Sequence, residues 1–108
     1  MNKIAELNDK FRQQMYTNGC NKIVITIGVS FLPLIEQMCI LKKVRTFDNF
    51  NEGNDRYQEH DFGKVEHNGV DYFFKIDYYD KDMKFASENP ADENITTRIL
   101  TIMRADEY

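Results

Sequence analysis

Apolar residues first recur at Ile4, Leu7, Phe11 and Met15, at spacings of three and four with polar residues between them. That period predicts an amphipathic helix over 3–16, stopped by Asn18-Gly19. The pattern then changes. Lys22-Ile23-Val24-Ile25-Thr26-Ile27 is a β-branched run, apolar on both faces apart from Thr26. It predicts a central strand covered by helices on at least one side. Gly28 ends this strand in the sequence reading. Ser30 serves as N-cap and Pro33 sits in the first turn of a second helix. Leu34, Ile35, Met38, Leu41 and Val44 carry that helix to about Phe47, with Lys42, Lys43 and Arg45 suiting the negative end of its dipole.

A polar loop over 48–59 carries two aromatic residues, Phe50 and Tyr57. Phe62–His67 and Val70–Tyr79 then flank Asn68-Gly69, the preferred dipeptide of a two-residue hairpin. A two-residue turn sets His67 opposite Val70, Phe62 opposite Lys75 and, by extension, His60 opposite Asp77. Val65 and Tyr72, like Gly63 and Phe74, fall on the other face. A second acidic loop over 80–94 is broken by Pro90. Six of the eight residues from Ile95 to Ile102 are β-branched, which favours a last strand despite the helical spacing of Ile95, Ile99 and Ile102.

The expected fold class is therefore α+β: two helices packed on a small, mainly antiparallel sheet of about four strands, in the order α-β-α-β-β-β. Its length of 108 residues fits one domain over 1–108. The expected core is Ile23, Ile25, Ile27, Leu34, Met38, Leu41, Tyr72, Phe74 and Ile76.

Charge adds what the hydrophobic pattern does not carry. Residues 1–47 hold seven basic and three acidic side chains, whereas residues 48–94 hold five basic and thirteen acidic ones. A phosphate backbone is repelled by the second stretch, so direct nucleic-acid binding is disfavoured and a protein partner with a basic surface is favoured. The start of the chain turns polar too soon for an export segment, and the longest apolar run is far too short to span a membrane. Cys20 and Cys39 lack the spacing of a zinc or redox motif. The expectation is a cytoplasmic protein with two reduced thiols and no cofactor.

Several stretches together resemble domain-of-unknown-function family 3768, a group of small, mostly bacterial proteins. They are Ile4-Ala5-Glu6-Leu7-Asn8-Asp9, Phe47-Asp48 with Asn54-Asp55, Glu59-His60-Asp61-Phe62-Gly63, Lys75-Ile76-Asp77-Tyr78-Tyr79-Asp80, and Thr97-Arg98-Ile99-Leu100-Thr101-Ile102-Met103. The resemblance runs over nearly the whole chain and implies a setting in bacterial genomes and mobile elements. It brings no activity and no catalytic residue with it.

Candidate chemistry is sparse. His60 opposite Asp77 would be an oriented general base or, more simply, a cross-strand ion pair. Asp48, Asp55, Glu59, His60 and Asp61 have the donor chemistry of a hard-cation site, but their spacing does not match a calcium-binding loop. Gly28-Val29-Ser30 after a strand reads as a helix cap rather than an anion cradle. The leading expectation is a non-catalytic module that docks on a basic surface through Asp55, Glu59, Asp61, Asp80, Asp82 and Glu88, with Tyr57 and Tyr79 adding aromatic area. One concrete form is a mobile-element regulator or an anti-defence, anti-CRISPR-like inhibitor. The alternative is a small hydrolase or metal-dependent enzyme using His60 with Asp77 or Asp61.

Overall fold

The computed structural model describes residues 2–15 and 21–108. The expected helix stop at Asn18-Gly19 and the thiol of Cys20 lie outside the described residues. Helix α1 spans Lys3–Gln14. Asn2 caps it, its side-chain oxygen accepting from the Ala5 amide at 2.7 Å. Met15 follows in the left-handed region, with φ 50°, and its amide donates back to Phe11. Strand β1 is Lys22–Ile25, α2 is a single turn at Ile27–Ser30, and α3 is Leu34–Thr46. Strands β2 (Phe62–His67), β3 (Val70–Tyr79) and β4 (Thr97–Arg104) follow, then a 3₁₀ turn at Ala105–Glu107.

The α+β class is as expected, and the hairpin register is that predicted from Asn68-Gly69: Phe62 pairs with Lys75, Gly63 with Phe74, Val65 with Tyr72 and His67 with Val70. Asn68 (φ 52°) and Gly69 (φ 78°) both take the left-handed backbone that a two-residue primed turn requires. The last segment is a strand, β4, antiparallel to β3.

Three expectations fail. The sheet order is β1-β4-β3-β2, so β1 is an edge strand, paired parallel to β4 through Lys22–Ile99 and Ile25–Ile102, and β4 holds the central place. The reason lies in length and cover. β1 is four residues long with Lys22 and Val24 exposed, whereas Thr97–Leu100, Ile102 and Met103 of β4 are buried. Ile27 and Gly28 also leave the strand to begin α2, and Ser30 ends that turn rather than capping α3, its hydroxyl donating to the Ile27 carbonyl. Pro33 itself is the residue before α3.

The third failure concerns the core. Tyr72, Phe74 and Ile76 are buried as expected, with Phe11, Val29, Ile40, Val44, Val65, Leu100 and Ile102 around them. Ile23, Ile25 and Leu41 are only partly buried. Ile27, Leu34 and Met38 stand in solvent. Helix α3 turns Ile40 and Val44 to the sheet, and so its Leu34–Met38 row faces outward.

Candidate functional site

The polar side chains that gather most closely come from α1, the 48–61 loop and β3. On α1, Ala5, Asn8 and Arg12 are all buried, placing Asn8 and Arg12 on the inward face one turn apart. Asn8 donates to the Tyr78 hydroxyl at 2.7 Å and to the Glu59 carbonyl at 2.9 Å. It accepts from Arg98 Nε at 2.7 Å. The Tyr78 hydroxyl donates in turn to Glu59 Oε1 at 2.8 Å. Burial, with the carboxylate of Glu59 close by, pushes the Tyr78 phenol up from its ordinary value. Burial likewise pushes the Arg98 guanidinium down. Arg98 also donates to the Pro90 carbonyl, tying the second acidic loop to the sheet.

His60 sits at the edge of this network. Its φ of 58° turns the chain out of line with β2. The ladder continues one residue beyond Phe62, where the Asp61 carbonyl accepts from the Ile76 amide at 2.8 Å. His60 is thus carried away from Asp77, and the expected dyad does not form. Asp77 pairs with Lys75 at 3.1 Å instead. The His60 ring stacks flat on Phe50 with 4.0 Å between centroids. Nδ1 lies 2.9 Å from Asp9 Oδ1, and Nε2 lies 3.6 Å from Asp55 Oδ2. Nδ1 is thus within hydrogen-bond reach of Asp9, whereas the separation of Nε2 from Asp55 is too long for a hydrogen bond. Asp9 also accepts from Arg12 at 3.0 Å, so Asp9, Arg12 and His60 together close the seam between α1 and the loop.

The acidic residues expected at a docking face divide into two groups. Asp55 is 6% exposed, and its Oδ1 accepts from the amides of Glu59 and His60 at 2.9 and 3.0 Å. Glu59 is held by Tyr78, and Asp61 is half-buried with its carboxyl raised above the ordinary range by burial and by the nearby charge of Glu59. Asp55 and Glu59 thus tie the fold together locally, whereas the burial of Asp61 opposes its ionisation. Asp80 receives the Lys84 amide within its own loop. Asp82 and Glu88 are exposed. Tyr57 is exposed under the Arg56 guanidinium, whereas Tyr79 is half-buried and bridges to Ala86. Asp48 is exposed, apart from the His60 cluster. Among the described residues, no three His, Cys, Asp or Glu side chains are grouped to hold a metal ion. No helix among them is long and apolar enough to cross a membrane.

The acidic side chains of the 80–94 loop surround apolar ones. Phe85 is 73% exposed, and Met83 and Ile95 are also open to solvent. Phe85, Ala86 and Ile95 line a groove with Asp80, Lys81 and Glu88.

A family model described as "Protein of unknown function (DUF3768)" matches residues 25–107. The chain belongs to the DUF3768 family. The matched span begins at Ile25, the last residue of β1, and takes in the helical elbow α2–α3, the hairpin and β4, so the shared pattern contains three of the four strands in full. It begins after α1, which supplies Asn8, Asp9 and Arg12 to the polar network. No curated protein and no solved structure matches the chain.

Sequence reasoning missed Asn8, Asp9 and Arg12. The available signal was the spacing of Ala5, Asn8, Arg12 and Met15, which puts two polar residues on the same side of α1 as its apolar stripe.

Proposed function

We propose that this protein is a non-catalytic binding module whose 80–94 loop docks on a basic, partly apolar protein surface. The observation that carries this reading is the groove of the second acidic loop. Its exposed Phe85 and Ile95 are flanked by Asp80 and Glu88, with Asp82 nearby. An exposed aromatic ring in a groove that Asp80 and Glu88 line beside Lys81 fits a segment in which Lys or Arg alternates with apolar residues. The ring supplies buried area, and the charges speed encounter. One concrete form is a mobile-element regulator or anti-defence inhibitor whose acidic loop covers a site that its target uses for nucleic acid. The support for that form is electrostatic: a carboxylate-rich surface can compete with phosphate for the same basic groups.

The test is affinity capture from extract of the producing cell, with the captured protein then purified and its binding measured as salt rises. Binding should weaken steadily with salt. Asp82→Lys with Glu88→Lys should slow association, and Phe85→Ala should speed dissociation. His60→Ala should leave binding unchanged wherever the protein remains folded. Loss of cellular function with a folded His60→Ala variant, alongside an unaffected loop variant, would overturn the docking reading in favour of catalysis.

A further inference from the structure

Five large apolar side chains stand in solvent within twelve residues: Ile27, Phe31, Leu34, Ile35 and Met38, each 59–84% exposed. Ile27 and Phe31 are one turn apart at the two ends of α2, whose Phe31 amide donates to the Ile27 carbonyl. Leu34, Ile35 and Met38 lie on one side of the first turns of α3. The row is contiguous in spacing, passing from Ile27 to Phe31, across the Pro33 elbow to Leu34 and Ile35, and on to Met38. These side chains leave roughly 700 Å² of largely apolar surface open, more than the largest patch of a typical monomer.

We infer that this face is the interface between two copies of the chain, joined about a twofold axis through the first turns of α3. Three observations select a second copy as the occupant. The first is area. A standard stable interface takes about 800 Å² from each partner, which this patch nearly supplies by itself from both sides. The second is charge. Residues 27–35 carry no charged side chain, although the whole chain carries −4. The one charged residue within the row, Glu36, is turned aside to His67 at 3.3 Å and to the Asn68 amide at 2.7 Å. Two copies can therefore meet here without burying like charges. A basic partner of the kind that suits the acidic loop finds only engaged carboxylates here: Glu36, held by His67 and Asn68, and Glu107 beside Gly28, held by the Thr26 hydroxyl and the Gly28 and Arg104 amides.

The third observation is the pattern itself. Leu34, Ile35 and Met38 lie on one side of the first turns of α3 and form an exposed apolar helical row against which a second α3 can pack, with Ile27 and Phe31 of α2 before it in the chain. With two α3 helices antiparallel about Glu36 and Gln37, Ile35 of one copy meets Met38 of the other.

Sedimentation equilibrium of the full chain tests this inference. The wild type should run at twice 12.8 kDa and shift toward 12.8 kDa only on dilution. Phe31→Asp and Met38→Asp, both at exposed positions, should each raise the dissociation constant at least about thirtyfold with unchanged circular dichroism. The dimer should hold or tighten as salt rises, because its contact is apolar. That response is opposite to the one expected of the acidic loop, so the two readings fail separately. A wild type that stays monomeric up to about 100 µM overturns the inference, and a different protein covering the face would give that result. A dimer that survives both substitutions, or one that dissolves in salt, overturns it as well.

Discussion

Arg12 Nη1 lies 2.8 Å from the carbonyl oxygen of Val44, so a side chain of α1 supplies a donor to the last turn of α3. The same guanidinium reaches the Arg45 carbonyl at 3.1 Å and Asp9 at 3.0 Å. It also lies over the rings of Phe50 and Phe74, 5.3 and 5.5 Å from their centroids. A residue 1% exposed thus serves as C-cap, ion-pair partner and packing element at once.

Arg12→Ala should cost about 3 kcal/mol or more in urea unfolding, since it leaves two helix-end carbonyls without this donor and Asp9 with only the His60 ring as a partner. Arg12→Lys should recover little of this. An ammonium is a compact point charge and cannot hold the guanidinium's fork of contacts.

Phe74 is fully buried and its ring occupies the space beside Gly63, where a Cβ would collide with it. Phe74→Ala should cost about 3–5 kcal/mol. Gly63→Ala should cost about 1–3 kcal/mol in the wild type by overpacking. In the Phe74→Ala background only the Phe47 ring still crowds the added methyl, so its cost should fall and the two effects should fall short of additivity by about 1 kcal/mol. Additive losses would place the cost of Gly63→Ala at Phe47 or in its backbone instead.

Asp61 and Glu107 should shift the pH dependence of stability in opposite directions. Burial, then the charge of Glu59, raises the Asp61 carboxyl above its ordinary 3.8. The folded protein therefore holds this proton more tightly, and the group's contribution is fully present below pH 3.8 and is lost as pH rises through the folded value. Asp61→Asn should raise the melting temperature at neutral pH, with the gain fading in acid. Glu107 accepts from the Thr26 hydroxyl at 2.7 Å, from the Gly28 amide at 2.9 Å and from the Arg104 amide at 2.8 Å, which holds its carboxyl below the ordinary 4.5. Its contribution is present above pH 4.5 and is lost as pH falls through the folded value. Glu107→Gln should lower the melting temperature at neutral pH and match the wild type in strong acid.

The hairpin was readable because its information is local: two alternating strands and an Asn-Gly turn fix the pairing without reference to the rest of the chain. β4 was readable from β-branched density alone. The position of β1 was not, because its partner in the sheet lies 77 residues away and no local period encodes a parallel pairing. The same distance hid the buried network, in which Asn8 meets Tyr78 and Arg98 across the fold. In α3 the spacing grouped Leu34, Met38 and Leu41 with Val44, yet only Val44 turns fully to the sheet, because apolar residues lie on two sides of this helix and a period does not say which side the chain itself covers. At His60 the register failed at the first residue with a left-handed backbone, which two-residue periodicity cannot foresee.

The central place of β4 has a consequence for how the protein is made. β1 and the hairpin never touch within the sheet; each finds its neighbour in residues 97–104. As the chain leaves the ribosome, α1, β1 and α3 emerge before the strand that joins them exists, and β1 has nothing to pair with until some 70 further residues have followed. The hairpin can close on itself in microseconds, but the sheet waits for translation. Completion is then a single late event in which β4 slots between two waiting edges, and until that moment both edges are open to other chains.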